Sequence, residues 1–328
     1  MATLYLRKSA LYSNLQKLRR KNPNILPVIK DNAYGHGLIP IAKLLREFGV
    51  KRVVVRDNRE GEAILPLFEE ILVLYPHTGM GYRNLSYAIN SLEQLRKNRH
   101  PNIHLKIDIG MHRNGIAVEE VGEALELVKK KGLNLKGVFG HFCCADEPVE
   151  VDTFIQLERF KRIREEVLKF VEREGWPKPY FHLANSAGVE KLPPEELMDY
   201  IRPGIALYGG MEGYEPVAKL VAKPILTRKL KAGEGVGYNK AFIAPREIEI
   251  TLVDVGYGDG LPYFTESVQF RDGRTIGKIS MDSVAVEGRL EKEVVVFDDI
   301  KEFAKNFNTI TYDLLVKLSP RIKRVVVE

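Results

Sequence analysis

From about residue 11 to about residue 215 the chain alternates short apolar runs with amphipathic stretches, which restricts the fold to repeated β-α units around a parallel sheet. The runs predicted as strands are 26–29, 52–55, 71–74, 85–89, 103–107, 137–142, 180–183 and 200–201 continuing to 207. Eight such units are what a closed parallel barrel requires, so the predicted fold class is α/β, a TIM-type (β/α)8 barrel over residues 11–216. Between the strands, Val151–Glu174 carries Leu157, Phe160, Ile163, Val167 and Val171 at three- and four-residue spacing, which predicts a long helix with one apolar face. Ser91 followed three residues later by Gln94 predicts a capping box opening another crossover helix.

Past residue 216 the helical periodicity fades. Runs at 248–255, 275–279, 284–286 and 293–297 alternate or are β-rich, with glycine-containing turns between them, so residues 217–328 are expected to form a separate, mainly β domain. Residues 3–6 also read as a strand, and residues 1–10 are expected to join that later sheet.

A length of 328 residues with 45% hydrophobic and 29% charged content excludes extensive disorder and allows one large domain plus a smaller one. The net charge of +6 suits an anionic ligand, but Lys and Arg are interspersed with Glu throughout, which argues against nucleic acid as a partner. The two cysteines, Cys143 and Cys144, are adjacent, so they are poorly placed to bridge each other or to build a four-ligand metal site, and no metal is expected. The first residues lack the apolar core of a signal peptide, and no run is long enough to span a bilayer, so a cytoplasmic location without membrane association is expected.

The chemistry is expected where barrel strands end. Lys30 closes the first apolar run and precedes a turn carrying Tyr34, Gly35, His36 and Gly37. Such a lysine is either a solvated turn residue or, with its stem among apolar neighbours, an amine of lowered pKa able to form an imine. The fifth strand leads into Asp108, Gly110, Met111, His112 and Arg113; the sixth ends near His141; the seventh offers His182, Asn185 and Ser186; the eighth carries Arg202, Gly204 and Ile205. The loops after the last two strands commonly cradle a phosphate in such barrels, and here they supply the Ser186 hydroxyl with the amides of Gly204 and Ile205. An imine-forming lysine opposite a phosphate cradle points to pyridoxal 5'-phosphate.

Taken together these segments resemble the alanine racemase family, the fold-type III pyridoxal-phosphate enzymes, across nearly the whole chain. The stretch from Lys30 to Gly37 is similar to the family's cofactor-lysine segment, which implies that Lys30 holds the cofactor as an imine and Tyr34 contacts its phosphate. Leu105 to Arg113 is similar to the stretch whose arginine approaches the cofactor's phenolic oxygen and the substrate carboxylate, a role that falls to Arg113; the resemblance further implies carbamylation of Lys106. Arg202 to Gly209 matches the pattern that places an arginine at the pyridine nitrogen, with His141 and His182 in a hydrogen-bonded chain with Arg202. Gly235 to Tyr238 is similar to the segment of the second catalytic base, Tyr238; Ser280, Met281 and Asp282 match the substrate-carboxylate loop, Tyr257 the entrance segment, and Tyr312 a second phosphate-binding tyrosine. Asp31, His112, Asn114 and Asp313 depart from the residues more usual in the family.

The resemblance implies an isomerase interconverting L-alanine and D-alanine by two-base proton transfer between Lys30 and Tyr238, supplying D-alanine to the cell wall. It also implies a homodimer in which the tyrosine comes from the partner subunit. A racemase of broader specificity, such as one acting on serine, would share these residues. A decarboxylase of the same fold would carry an acid in place of Arg202, and a non-catalytic cofactor carrier would lack the β domain, so both fit less well.

Overall fold

The computed structural model describes residues 2–76, 82–147 and 151–328. The chain forms two compact units, one made of Leu15–Lys30 and Ala42–Gly204, the other of Met1–Asn14, Asp31–Ile41 and Ile205–Glu328.

In the first unit six parallel strands, Arg52–Val55, Glu70–Val73, Leu85–Ile89, Asn102–Lys106, Asn134–Phe139 and Tyr180–His182, lie side by side in chain order. Their interior residues are almost all apolar and buried, as expected for a sheet covered on both faces. The first and eighth predicted strands do not form continuous ladders. They close the ring through single bridges, Val28 to Val54, Ile25 to Ile201 and His182 to Tyr200. Backbone bonds from Leu26 N to Ile201 O (2.8 Å) and from Val28 N to Pro203 O (2.9 Å) seal the seam. Pro27 and Pro203 supply carbonyls there but have no N–H to donate, which is why the pairing stays local. The eighth strand does not run on to 207, because the chain turns after Pro203 and Gly204 into a 3-10 helix, Ile205–Tyr208.

The predicted long helix is present as Val151–Glu174 and buries Leu157, Phe160, Ile163, Val167, Phe170 and Val171. Each such side chain contributes roughly 1.5–3 kcal/mol of transfer free energy, so tertiary packing rather than intrinsic propensity holds this helix in place. The Ser91 cap is also present, its side chain accepting from Gln94 N (3.1 Å) at the start of Leu92–Lys97. The reciprocal bond differs from a standard capping box: Gln94 Oε1 accepts from Asn90 N at 2.7 Å.

In the second unit Thr3–Arg7 pairs parallel with Lys323–Val327 and antiparallel with Ala218–Ala222, which in turn pairs with Val294–Phe297. A five-stranded sheet runs Gln269–Phe270, Gly273–Ile276, Val284–Glu287, Ile248–Val253 and Pro224–Leu230. Leu230, Val236, Ala244, Ile248, Ile250, Ile276 and Ala285 form a core beneath it. Two short helices, Ile300–Ala304 and Thr311–Val316, interrupt the β texture; at five and six residues they are too short to show the periodicity by which helices are read from sequence.

Candidate active site

The turn after Lys30 does not rest on its glycines alone. Asp31, Asn32, Ala33 and Tyr34 all have positive φ, between 51° and 56°, making a full left-handed turn from four residues that carry side chains. Each such residue costs roughly 1–2 kcal/mol, least for Asp and Asn, and such strain concentrates at functional sites. Surrounding contacts hold the turn. Gly35 N donates to Asp31 O (3.1 Å), Gly37 N to Asn32 O (2.8 Å) and Leu38 N to Asn32 Oδ1 (2.8 Å). The His36 Nδ1 lies 3.0 Å from Tyr34 O and 3.2 Å from Ala33 O, so it is the protonated nitrogen and donates to this turn. Gly35 is obligatory there, since a Cβ would sit 1.9 Å from Leu315 O.

Two expected phosphate ligands come together in this unit, with the Tyr34 and Tyr312 rings 6.0 Å apart and Tyr34 also against Tyr208 at 5.1 Å. Burial, reinforced by Tyr312 and Asp31, raises the Tyr34 phenol well above its ordinary value, so it is a neutral hydrogen-bond donor. Tyr257 and Met281 are also joined: Tyr257 N donates to Ser280 O (3.2 Å) and Gly258 N to Met281 O (2.8 Å). Gly256 permits that approach, since a Cβ there would meet Met281 O at 2.1 Å. Asp282 lies beside the same segment, its Oδ1 3.5 Å from where a Gly258 Cβ would stand. Tyr238 follows Gly237 in a 3-10 turn and is 66% exposed; Tyr263, Met281 and Ile310 are likewise exposed.

In the barrel unit Arg202 is only 4% exposed and is held by five acceptors. Nη1 donates to His182 Nδ1 (2.8 Å) and His182 O (2.6 Å); Nη2 donates to Gly140 O (2.6 Å), Leu183 O (3.2 Å) and His141 Nδ1 (3.3 Å). All of these start from the terminal nitrogens, and among the described residues nothing accepts from Nε. Burial lowers the Arg202 pKa to about 9, still above neutrality, so the group remains a cation.

Because a guanidinium can only donate, Nδ1 of both histidines must accept, and each ring carries its proton on Nε2. The His182 Nε2–H then donates to His104 Nδ1 (3.0 Å), and His104 Nε2–H to Glu70 Oε1 (3.1 Å). Glu70 also accepts from Ser86 Oγ (2.7 Å) and Arg52 Nε (3.1 Å). The result is a buried relay, Arg202, His182, His104, Glu70, with every proton position fixed. Sequence reasoning found Arg202 and His182 but missed His104 and Glu70; the available signal was that His104 alternates with Lys106 along one strand, so both side chains share a face. Burial and Arg202 push His182 far below its ordinary value, keeping it neutral.

Lys106 is 7% exposed, and burial together with Arg113, Arg202 and Lys30 lowers its pKa to about 8. The same four cations, Arg202, Lys106, Arg113 and Lys30, add to burial in holding His141 neutral. Arg113 is placed by a tight loop in which Asp108 Oδ1 accepts from the amides of Gly110, Met111 and His112 at 3.0–3.1 Å. Ser186 begins a short helix, Ser186–Lys191, capped by Asn185. The Gly204 amide does not stand open for a ligand as the sequence suggested: it donates to Ser186 Oγ at 2.9 Å, tying the two loops together. Ile205 opens the following 3-10 helix and belongs to the second unit.

Four cations gathered around a neutral histidine at the strand ends, a buried donor-only arginine, and an appended β domain define an α/β-barrel enzyme suited to an anionic ligand. Residues 6–212 match the family "Alanine racemase, N-terminal domain" and residues 217–326 "Alanine racemase, C-terminal domain". An alanine racemase from Nitratiruptor sp. is 39% identical over the whole of both chains, and one from Campylobacter concisus is 40% identical over 99% of each. Solved alanine racemases from Streptomyces lavendulae (26% identity, TM-score 0.86, 100% of this chain and 97% of that one) and Clostridium difficile (26%, 0.88, 99% and 95%) share the fold. The chain belongs to the alanine racemase family. Among the described residues no helix is long and apolar enough to cross a membrane.

Proposed function

We propose that this protein interconverts L-alanine and D-alanine with pyridoxal 5'-phosphate, with Lys30 and Tyr238 as the two bases, and so supplies D-alanine for peptidoglycan. The observation that carries the cofactor reading is the Arg202 Nε–H, a donor on an almost fully buried cation that no described protein group accepts. An aromatic nitrogen fits that position, and Arg202 would bind it by donating a hydrogen bond without surrendering a proton. Lys30 would hold the cofactor covalently, and Tyr34, Ser186, Ile205 and Tyr312 its phosphate; Gly204 would act by positioning Ser186. When bound, the cofactor acidifies the substrate's α-hydrogen.

The remaining roles fall to this chain's own groups. Lys30 takes or returns the α-proton on one face, and Tyr238 does so on the other. The tautomer argument leaves the His141 Nε2–H pointing away from Arg202 as the ring's donor. Arg113 and Met281 bind the substrate carboxylate, Tyr257 lines the entrance, and Asp282 supports Met281. The lowered pKa of Lys106 favours the free amine that carbamylation by carbon dioxide needs, and the change from cation to anion would relieve its repulsion with Arg113. The exposure of Tyr238, Tyr263, Met281 and Ile310 supports a homodimer in which the tyrosine serves the partner's site.

Tyr238→Phe should slow proton abstraction from L-alanine far more than from D-alanine, measured by solvent deuterium incorporation from each enantiomer. Equal, mild losses in both directions would remove Tyr238 from its role.

A further inference from the structure

Asn114 directly follows Arg113, and the structure gives it a definite task. The Lys106 Nζ donates to Asn114 Oδ1. Asn114 Nδ2 donates to Asn90 Oδ1 at 3.0 Å, and Asn90 Nδ2 to Leu74 O at 3.0 Å and Ala88 O at 3.4 Å. Main-chain carbonyls can only accept, so Asn90 must turn its NH2 to them and its carbonyl toward Asn114. Asn114 must then turn its own carbonyl toward Lys106. Neither amide can flip without losing its partners. The backbone is pinned too: Gly115 N donates to Asn90 O (2.8 Å) and Ile116 N to Lys106 O (2.8 Å).

We propose that Asn114 is a positioning residue whose carbonyl, aimed by Asn90, holds the Lys106 nitrogen in place beside Arg113. This rests on the reading that Arg113 binds the substrate carboxylate. Arg113, Arg202 and Lys30 repel a proton on Lys106, while Asp108 favours one. A neutral amide accepts most strongly from the ammonium but also from the free amine and from a singly substituted nitrogen, so it holds Lys106 in place in each of these forms while favouring the cation.

The test uses the holoenzyme and the variants Asn114→Leu, Asn114→Asp and Asn90→Leu. The Lys106 titration is followed in buffer freed of carbon dioxide, so that the amine is unmodified, through its 13Cε resonance in lysine-labelled protein, which reads the relay independently of racemase activity. Removing the acceptor in Asn114→Leu should lower the midpoint by roughly one pH unit, whereas the carboxylate of Asn114→Asp should raise it by a similar amount. Asn90→Leu, which does not touch Lys106, should shift the midpoint in the same direction as Asn114→Leu, and the double variant should show much less than the sum. The KM for L-alanine should rise roughly tenfold in Asn114→Leu with kcat within about threefold. An unmoved midpoint in Asn114→Leu, or a shift confined to the Asn114 variants, overturns the proposal. A shifted midpoint with unchanged KM supports the hold on Lys106 and instead overturns the substrate role of Arg113.

Discussion

Glu70→Gln keeps the shape and the acceptor oxygen of the residue that ends the relay behind Arg202 but removes its charge. In the folded protein the Glu70 pKa is lowered from 4.5 to about 2: burial opposes ionisation, but His104, Ser86 and Arg52 outweigh it. The side chain is 12% exposed, so the interaction is only weakly screened. A drop of that size corresponds to roughly 3 kcal/mol of stability at neutral pH, at about 1.4 kcal/mol per unit. For a carboxylate whose folded value is depressed, this contribution is complete above pH 4.5 and is lost as the pH falls through about 2. Urea unfolding of the parent and the variant should therefore differ by ~2–3 kcal/mol at pH 7 and by only ~1 kcal/mol at pH 3. Acid effects elsewhere are common to both proteins and cancel in the difference. A gap that is the same at both pH values, or below ~0.5 kcal/mol at pH 7, would refute a charged, relay-bound Glu70.

Asp31→Ala places a residue with no local polar partner at φ 53°, so it should lower stability by about 1 kcal/mol, visible as a Tm a few degrees lower; an unchanged or raised Tm would show that the left-handed turn is not held as described. His36 is fully buried, and burial lowers its pKa from 6.5 to about 4. Its neutral form therefore contributes fully above pH 6.5, and up to roughly 3 kcal/mol is lost as the pH falls from 6.5 to 4. His36→Gln should flatten that part of the stability profile, and an unaltered slope would contradict the assignment.

Much of the barrel was legible because period and spacing are local properties. The apolar runs at 52–55 and 85–89 coincide with Arg52–Val55 and Leu85–Ile89, and the apolar stripe of Val151–Glu174 faces the core as read. The first and eighth strands were legible as apolar runs but not as bridged segments, because ring closure depends on which carbonyls Pro27 and Pro203 present to distant partners. The left-handed turn after Lys30 left no trace in composition beyond Asp31 and Asn32, since Ala33 and Tyr34 are held there by Gly35, His36 and their neighbours. Lys30, Arg202 and His182 could be read from position and motif. Glu70 left no signal and His104 only its alternation with Lys106, because Glu70 opens one strand and His104 lies within another, and only the three-dimensional pairing reveals a chain.

The proposed activity requires Lys30 to carry the cofactor. Borohydride reduction of the purified holoenzyme, followed by proteolysis and peptide mass mapping, should place a pyridoxyl-phosphate mass on Lys30 and leave Lys106 untagged. A tag on Lys106 or elsewhere, or none, would contradict the account.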